Sequence, residues 1–177
     1  EEDPRVRMAL VIGLGKCKTP EALEALIAHW ITEKDYRVKC NLIRALPNFE
    51  YEDVKDIVYL GVDDPNLAVA NTAANYFLNN GIAREARDYW VKAKDSLHWE
   101  VQLSLYASAN RHLPNNFSTT KGSINYELRN RFVASTNPYE QAAVVRAMGE
   151  YGWNYPFIKE FAFPADEEVV GTASIQA

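Results

Sequence analysis

Three histidines, two cysteines and 24 carboxylates are the first residues of this 177-residue sequence to weigh for ligating a metal, attacking a carbonyl or moving a proton. Their spacing argues against each of these. None of His29, His98 and His112 lies within ligand spacing of another His or a Cys, so no zinc motif is formed. His29 precedes Trp30 on a helix face and His98 precedes Trp99 at a helix start, and both read as helix-surface residues. Cys17 and Cys40 are too few for a disulfide scaffold. A single bridge between them stays open, and the adopted reading is two buried thiols. Glu50, Glu52, Asp53, Asp56, Asp63, Asp64 and the run Asp166 to Glu168 are spaced as carboxylates are at helix starts and on solvated faces, not as a paired acid and base. Gly13-Leu14-Gly15-Lys16 lacks the leading strand and the Lys-Ser/Thr ending of a phosphate loop. It reads as a helix end with a cation near the last carbonyls. There is no Gly-x-Ser-x-Gly elbow and no arguable Cys/His pair. Asn116-Phe117-Ser118 matches the glycosylation tripeptide once. The expectation is no catalytic residue, no metal and no cofactor in this segment.

Charge narrows the class further. Nineteen Lys and Arg stand against 24 Asp and Glu, a net charge of −5, where a nucleic-acid binder carries a basic surplus. No run of eighteen apolar residues is present, so no membrane insertion is expected. Apolar residues make up 47% and charged residues 24%, which fits one folded domain over residues 1–177 rather than a disordered chain. Glu1-Glu2-Asp3-Pro4 is neither an initiator Met nor a signal peptide, and the sequence is read as a fragment of a longer chain.

The elements that would position any functional side chain are helices. Asp3-Pro4, Thr19-Pro20, Asp64-Pro65 and Asn137-Pro138 each place a capping side chain before a Pro at the first helical position. Glu140 follows Asn137 as in a capping box, and Gly15, Gly61, Gly81 and Gly152 sit where helices should stop. Val6, Ala9, Leu10, Gly13 and Leu14 recur at helical spacing, as do Leu23, Leu26, Ile27 and Trp30. Superposing the chain on itself shows a repeat. DPRVRMALVIGLG from Asp3 reappears 32 positions on as DYRVKCNLIRALP from Asp35, and VRAMG at Val145 echoes IRALP at Ile43. Each such helix is preceded by another, at roughly 20–32, 51–60, 83–93, 124–135 and 155–162, and a further copy is read from Asp166. A two-helix unit of this size cannot bury its own apolar stripe and must stack on its neighbours. Ala9, Gly13, Ala45, Ala73, Ala74, Ala109, Ala143 and Ala147 are the small residues expected at the seams. One register irregularity, Pro114 to Ser123, reads as an enlarged polar loop.

The Asp-x-x-Val-Arg start followed by small and aliphatic residues ending in Ala-Leu-Gly resembles the second helix of HEAT and HEAT-like repeats, best at the Asp3 and Asp35 copies. No ankyrin or tetratricopeptide pattern competes. The resemblance implies an all-α fold, a right-handed α-α superhelix or solenoid of about five two-helix repeats of the armadillo-like helical class, whose second helices line a concave face. Projected onto that face, the register gives Lys39, Arg44, Asn71, Asn75, Gln102, Tyr106 and Arg146 as partner-binding candidates. Arg44 and Arg146 are equivalent, with Asn75 between them. Such a ladder of guanidinium and amide groups would clamp a peptide backbone or carboxylates. The Asn- and Tyr-rich texture also resembles HEAT segments of large envelope proteins of Bacteroidetes-type bacteria, some fused to cyclophilin-type prolyl isomerase domains. That likeness implies an envelope or periplasmic setting.

The function expected from all this is a non-catalytic scaffold or protein-interaction module that binds a protein or peptide segment, or flanking domains of the parent chain. The alternatives are an accessory region of a multidomain enzyme such as a prolyl isomerase, or a HEAT-like nucleic-acid or tetrapyrrole-processing enzyme. The C-terminal EEVVGTASIQA stops inside an apparent helix, which implies an uncapped end and self-association.

Overall fold

A computed structural model describes residues 2–162, and the chain divides into two compact units, Glu1–Asn80 and Gly81–Ala177. The copy expected from Asp166 and the uncapped C-terminal end lie outside the described residues. Within the described residues the structure is all-α, with ten helices and no strand. The first unit holds α1 (Pro4–Cys17), α2 (Pro20–Thr32), α3 (Tyr36–Ala45), α4 (Tyr51–Val62) and α5 (Leu67–Asn80). The second holds α6 (Ala86–Asp95), α7 (Trp99–His112), α8 (Ser118–Ala134), α9 (Pro138–Gly149) and α10 (Tyr155–Ala162). Short 3₁₀ turns at Leu46–Asn48, Ala83–Glu85 and Gly152–Asn154 join them.

In the first unit α1, α3 and α5 stack in sequence order, with α2 against α1 and α4 against α5. In the second unit α7 stacks on α9, with α6 against α7 and α8 against α9. Leu26, Val38, Leu42, Val58, Val69 and Phe77 are fully buried in the first unit, and Tyr89, Val101, Leu105, Ile124, Val144 and Met148 in the second. Burial of this apolar surface holds the pairs together.

Several local expectations hold and others are displaced. Asp3, Thr19 and Asn137 cap their helices, each accepting from a backbone N–H of the first turn. Asp35 caps α3 as Asp3 caps α1, and in both copies the Arg two residues on closes back on its own cap, Arg5 on Asp3 at 2.8 Å and Arg37 on Asp35 at 2.7 Å. At Asp64-Pro65 the helix starts two residues later. Asn66 accepts from Ala68, while Asp64 accepts from the Asn66 N–H. The expected capping box at Asn137 does not form, because Glu140 is drawn instead to Arg131 at 2.7 Å and Ser135 at 2.8 Å.

Gly15 and Gly61 are not helix stops but lie buried inside α1 and α4, where Ala45 and Ala73 press against them. The residue that turns the chain out of α1 is Lys18, in the left-handed region at φ 56°. Ala9 and Gly13 are exposed, as are Val6 and Leu10, because α1 turns Val11 and Gly15 toward the interior and leaves its other stripe uncovered. Thirty-two positions on, the equivalents Val38, Leu42 and Ala45 of α3 are all buried. Cys17 is exposed and Cys40 buried, both as free thiols, so only one of the two is a core residue.

The enlarged loop is shorter than its sequence implies. α8 begins at Ser118, so its first turn and a half takes up the latter six residues of the segment read as loop. Its inward positions are Lys121, Ile124, Asn125, Leu128 and Phe132, and the two polar members hide the apolar period. Asn125 is satisfied within a buried triad. It donates to Asn110 at 3.0 Å and to the Lys121 carbonyl at 2.8 Å, while Asn154 donates to it at 2.7 Å. Asn110 and Asn154 also donate to the last-turn carbonyls of α9, Ala147 at 2.9 Å and Met148 at 2.8 Å. The triad thus satisfies carbonyls that the end of α9 would otherwise leave unpaired.

Candidate functional site

The seven candidate residues do not share one environment. Lys39 occupies the position of Arg7 one repeat earlier, and both cations reach forward to the turn before the next second helix. Arg7 meets Glu33 at 2.8 Å and Lys39 meets Asp64 at 2.6 Å. Each carboxylate also accepts backbone N–H groups of its own turn: Glu33 from Lys34 and Asp35, Asp64 from Asn66. Lys39 also lies 5.0 Å from the centre of the Trp30 ring. This register position therefore ties one repeat to the next. Burial works against charge on Glu33, whose side chain is 3% exposed, but Arg7 and the two backbone donors outweigh it and hold the carboxyl at about 2.

Gln102 and Tyr106 are likewise engaged inside the second unit. Gln102 donates to the Ser96 carbonyl and accepts from Arg131. The buried Tyr106 hydroxyl donates to Glu127 of α8 at 2.6 Å, and burial followed by that carboxylate pushes the phenol well above its ordinary range. Trp90 and Lys94 of α6 also donate to Glu127, at 3.1 and 3.0 Å. Despite the cost of burial, these donors lower the Glu127 carboxyl.

Arg44, Asn75 and Arg146 face solvent, and Asn71 is half-buried. The structure brings Arg44 and Asn75 into one cleft of about 250 Å³ between α3 and α5. Its floor is buried Ile43 and Tyr76, and Pro47, Thr72, Asn79 and Asn80 complete the wall. Arg44 is the one cation in that lining, and no carboxylate stands there. Its guanidinium donates to Asn41 at 3.2 Å, and the rest of this exposed group has no protein partner among the described residues. Asn79 donates to the Asn75 carbonyl at 2.9 Å, and Thr72 to the Ala68 carbonyl at 2.7 Å, so the cleft wall is held by its own helix. Neither the Asn71 nor the Asn75 amide is hydrogen-bonded among the described residues. The cleft therefore offers one guanidinium and an open amide among further amide and hydroxyl groups, a set suited to non-covalent recognition and not to bond making.

Thr72, Asn79, Pro47 and Tyr76 were not among the candidates. Asn79 was findable, since Asn71, Asn75 and Asn79 are successive turns of one helix face. Among the described residues no group of three His, Cys, Asp or Glu stands close enough to hold a metal ion, and no helix is long and apolar enough to cross a membrane. His29 contacts Glu33 at 2.8 Å from a partly exposed helix face.

A family model described as HEAT repeats matches residues 1–79, the same stretch as the first compact unit. No curated protein and no solved structure matches the chain. The likeness to Bacteroidetes-type envelope proteins and to cyclophilin fusions finds no support in these comparisons.

Proposed function

We propose that this chain is a protein-interaction module whose second-helix face in residues 1–80 receives an extended peptide segment carrying an acidic side chain. The observation that carries the reading is the position of Arg44 in a cleft walled by Thr72, Asn75, Asn79 and Asn80, in a lining that holds no carboxylate. A carboxylate is the side chain that a guanidinium with unpartnered donors pairs best. Asn71 and Asn75 stand one turn apart, a rise of about 6 Å on a helix, against about 6.7 Å for alternate residues of an extended chain. Successive amides can therefore meet alternate peptide units with donor and acceptor together. Stacked helical repeats present such a face ready-made, so little ordering cost is added on binding. The HEAT-repeat match over residues 1–79 supports this class of role. The net charge of −5 opposes a nucleic-acid partner.

The test selects peptides from a random library on the intact chain and measures the affinity of the selected acidic sequences by fluorescence anisotropy. Arg44→Ala should weaken them about tenfold, and Asn75→Ala by less. Selection of peptides with no acidic preference, or unchanged affinity in both variants, would overturn the reading. Arg146→Ala, in the second unit, reports whether that equivalent arginine takes part.

A further inference from the structure

The second unit carries a different hollow. About 350 Å³ of space opens between the 3₁₀ turn Ala83–Glu85 with the start of α6, and the turn that joins α7 to α8. Arg84 and Arg87 supply its charge, both exposed. Leu113, Pro114 and Phe117 supply an apolar wall, and Thr120 a hydroxyl. Glu85 and Asp88, the carboxylates nearest in sequence, do not line it.

The wall is a built one. Phe117 donates its N–H to the Pro114 carbonyl at 3.0 Å, and the N–H of Lys121 returns to the Phe117 carbonyl at 3.0 Å. Buried Lys121 then ties Asn115 at 3.1 Å and lies 4.5 Å from the centre of the Tyr151 ring. The turn is thus pinned from behind, while Phe117 keeps 53% of its surface exposed on the open side.

Two guanidinium groups beside an apolar wall select an anion carried on an apolar body. The volume lies at the small end of the roughly 300–1,000 Å³ typical of ligand sites, enough for one residue and not for a folded element. A chain end joins these two features most closely, because its carboxylate and its last side chain share one Cα. An internal Asp or Glu holds its charge a full side chain away from a neighbour's apolar group. We propose that this hollow binds the C-terminal end of a peptide, its carboxylate between Arg84 and Arg87 and an aliphatic or aromatic last side chain against Leu113, Pro114 and Phe117. The site is independent of the α3/α5 cleft and uses none of its residues.

Isothermal titration of the intact chain tests this with three probes: N-acetyl-Ala-Ala-Leu with a free carboxylate, the same peptide as its C-terminal amide, and 4-methylpentanoate. The free-acid peptide should bind, with the amide at least about tenfold weaker and the short acid also weaker. Arg87→Ala should cost the acid about tenfold and leave the amide unchanged. Phe117→Ala should weaken acid and amide alike. Both side chains are exposed, and unchanged helical circular dichroism checks that the variants fold. Equal binding of acid and amide, no effect of Arg87→Ala, or no binding of the acid at millimolar concentration overturns the proposal. So does 4-methylpentanoate binding as tightly as the peptide, which would make this a small-acid site.

Discussion

Gly15 of α1 lies so close to Ala45 of α3 that a Cβ on the glycine would stand 2.6 Å from the alanine Cβ, with the Ala45 Cα at 3.3 Å and its carbonyl oxygen at 3.4 Å. The closest approach of the two stacked helices therefore depends on a missing methyl group. Gly61 of α4 repeats the arrangement more loosely against Ala73 of α5, at 3.0 Å. Two residues before Gly15, a Cβ on Gly13 would meet nothing within 4 Å.

These two glycines of α1 should respond with opposite sign to the same substitution. Gly15→Ala forces α1 and α3 apart and should destabilise by about 1–3 kcal/mol. Gly13→Ala sits in a helix interior with open space beside it and should stabilise by about 0.5–1 kcal/mol. Urea unfolding followed by circular dichroism measures both. A neutral Gly15→Ala would show that the two helices can separate at no cost.

Glu33 makes stability depend on acid. Its carboxyl is held at about 2 in the folded chain, below the ordinary value of 4.5. A depressed carboxyl contributes fully above the unfolded value, and its contribution is lost as pH falls from about 4.5 toward 2. The full shift corresponds to a contribution on the order of 3 kcal/mol. Glu33→Gln removes the charge and sets an amide NH2 group against the Arg7 and His29 nitrogens that met the second oxygen, while its remaining oxygen still accepts from the two backbone N–H groups. Between about pH 5 and pH 2.5, below the ordinary range of histidine, the stability gap between wild type and variant should narrow. A gap that stays constant across that range would place the acid sensitivity elsewhere.

How far the sequence could be read depends on what each signal encodes. The Asp3 and Asp35 caps were legible because Asp-x-Arg is a local device that closes on itself within two residues. Among the described residues the repeat register located the second helices α1, α3, α5, α7 and α9, and it set Arg44 and Asn75 at matching positions, where the structure puts them in one cleft. Register places a backbone, however, and not the partner of a side chain. Lys39 and Tyr106 read as outward-facing because Asp64 and Glu127 reach them from neighbouring segments. The start of α8 was hidden because Lys121 and Asn125, which read as surface residues, are buried there with polar partners of their own. The hollow at Arg84 and Arg87 was invisible for a related reason, since its wall begins at a turn that the enlarged loop was thought to contain.

Tyr106 should matter for stability through one hydrogen bond. Its hydroxyl is the shortest donor to Glu127, in a cluster completed by Trp90 and by Lys94, which lies 4.2 Å from the Trp90 ring centre. Tyr106→Phe keeps the ring in place and removes that charged hydrogen bond, for a cost of about 1.5–3 kcal/mol. A second readout is spectroscopic. Because the phenol is pushed above its ordinary range, the ultraviolet titration of the folded chain should gain no late-ionising tyrosine in the Phe variant and show one in the wild type. Equal unfolding midpoints together with identical titration curves would mean the bond to Glu127 is not made in solution.

The buried triad of Asn110, Asn125 and Asn154 should behave as one unit. Each is at most 4% exposed, and each spends its amide on another member or on a helix carbonyl. Arg129 completes the set by donating to the Asn154 side-chain oxygen at 3.2 Å. Removing one member leaves the others buried without partners, at about 1–3 kcal/mol for each group orphaned. Asn125 touches both of the others, so Asn125→Ala should be the most costly single change. Once it is made, Asn110→Ala has less left to break, because the reciprocal pair at 3.0 Å is already gone. A double-mutant cycle on Asn110 and Asn125, read by urea unfolding, should give a coupling energy of about 1–2 kcal/mol. Additive costs would mean that water replaces each lost partner and that the triad is three separate hydrogen-bonded residues, with no shared role in holding the end of α9.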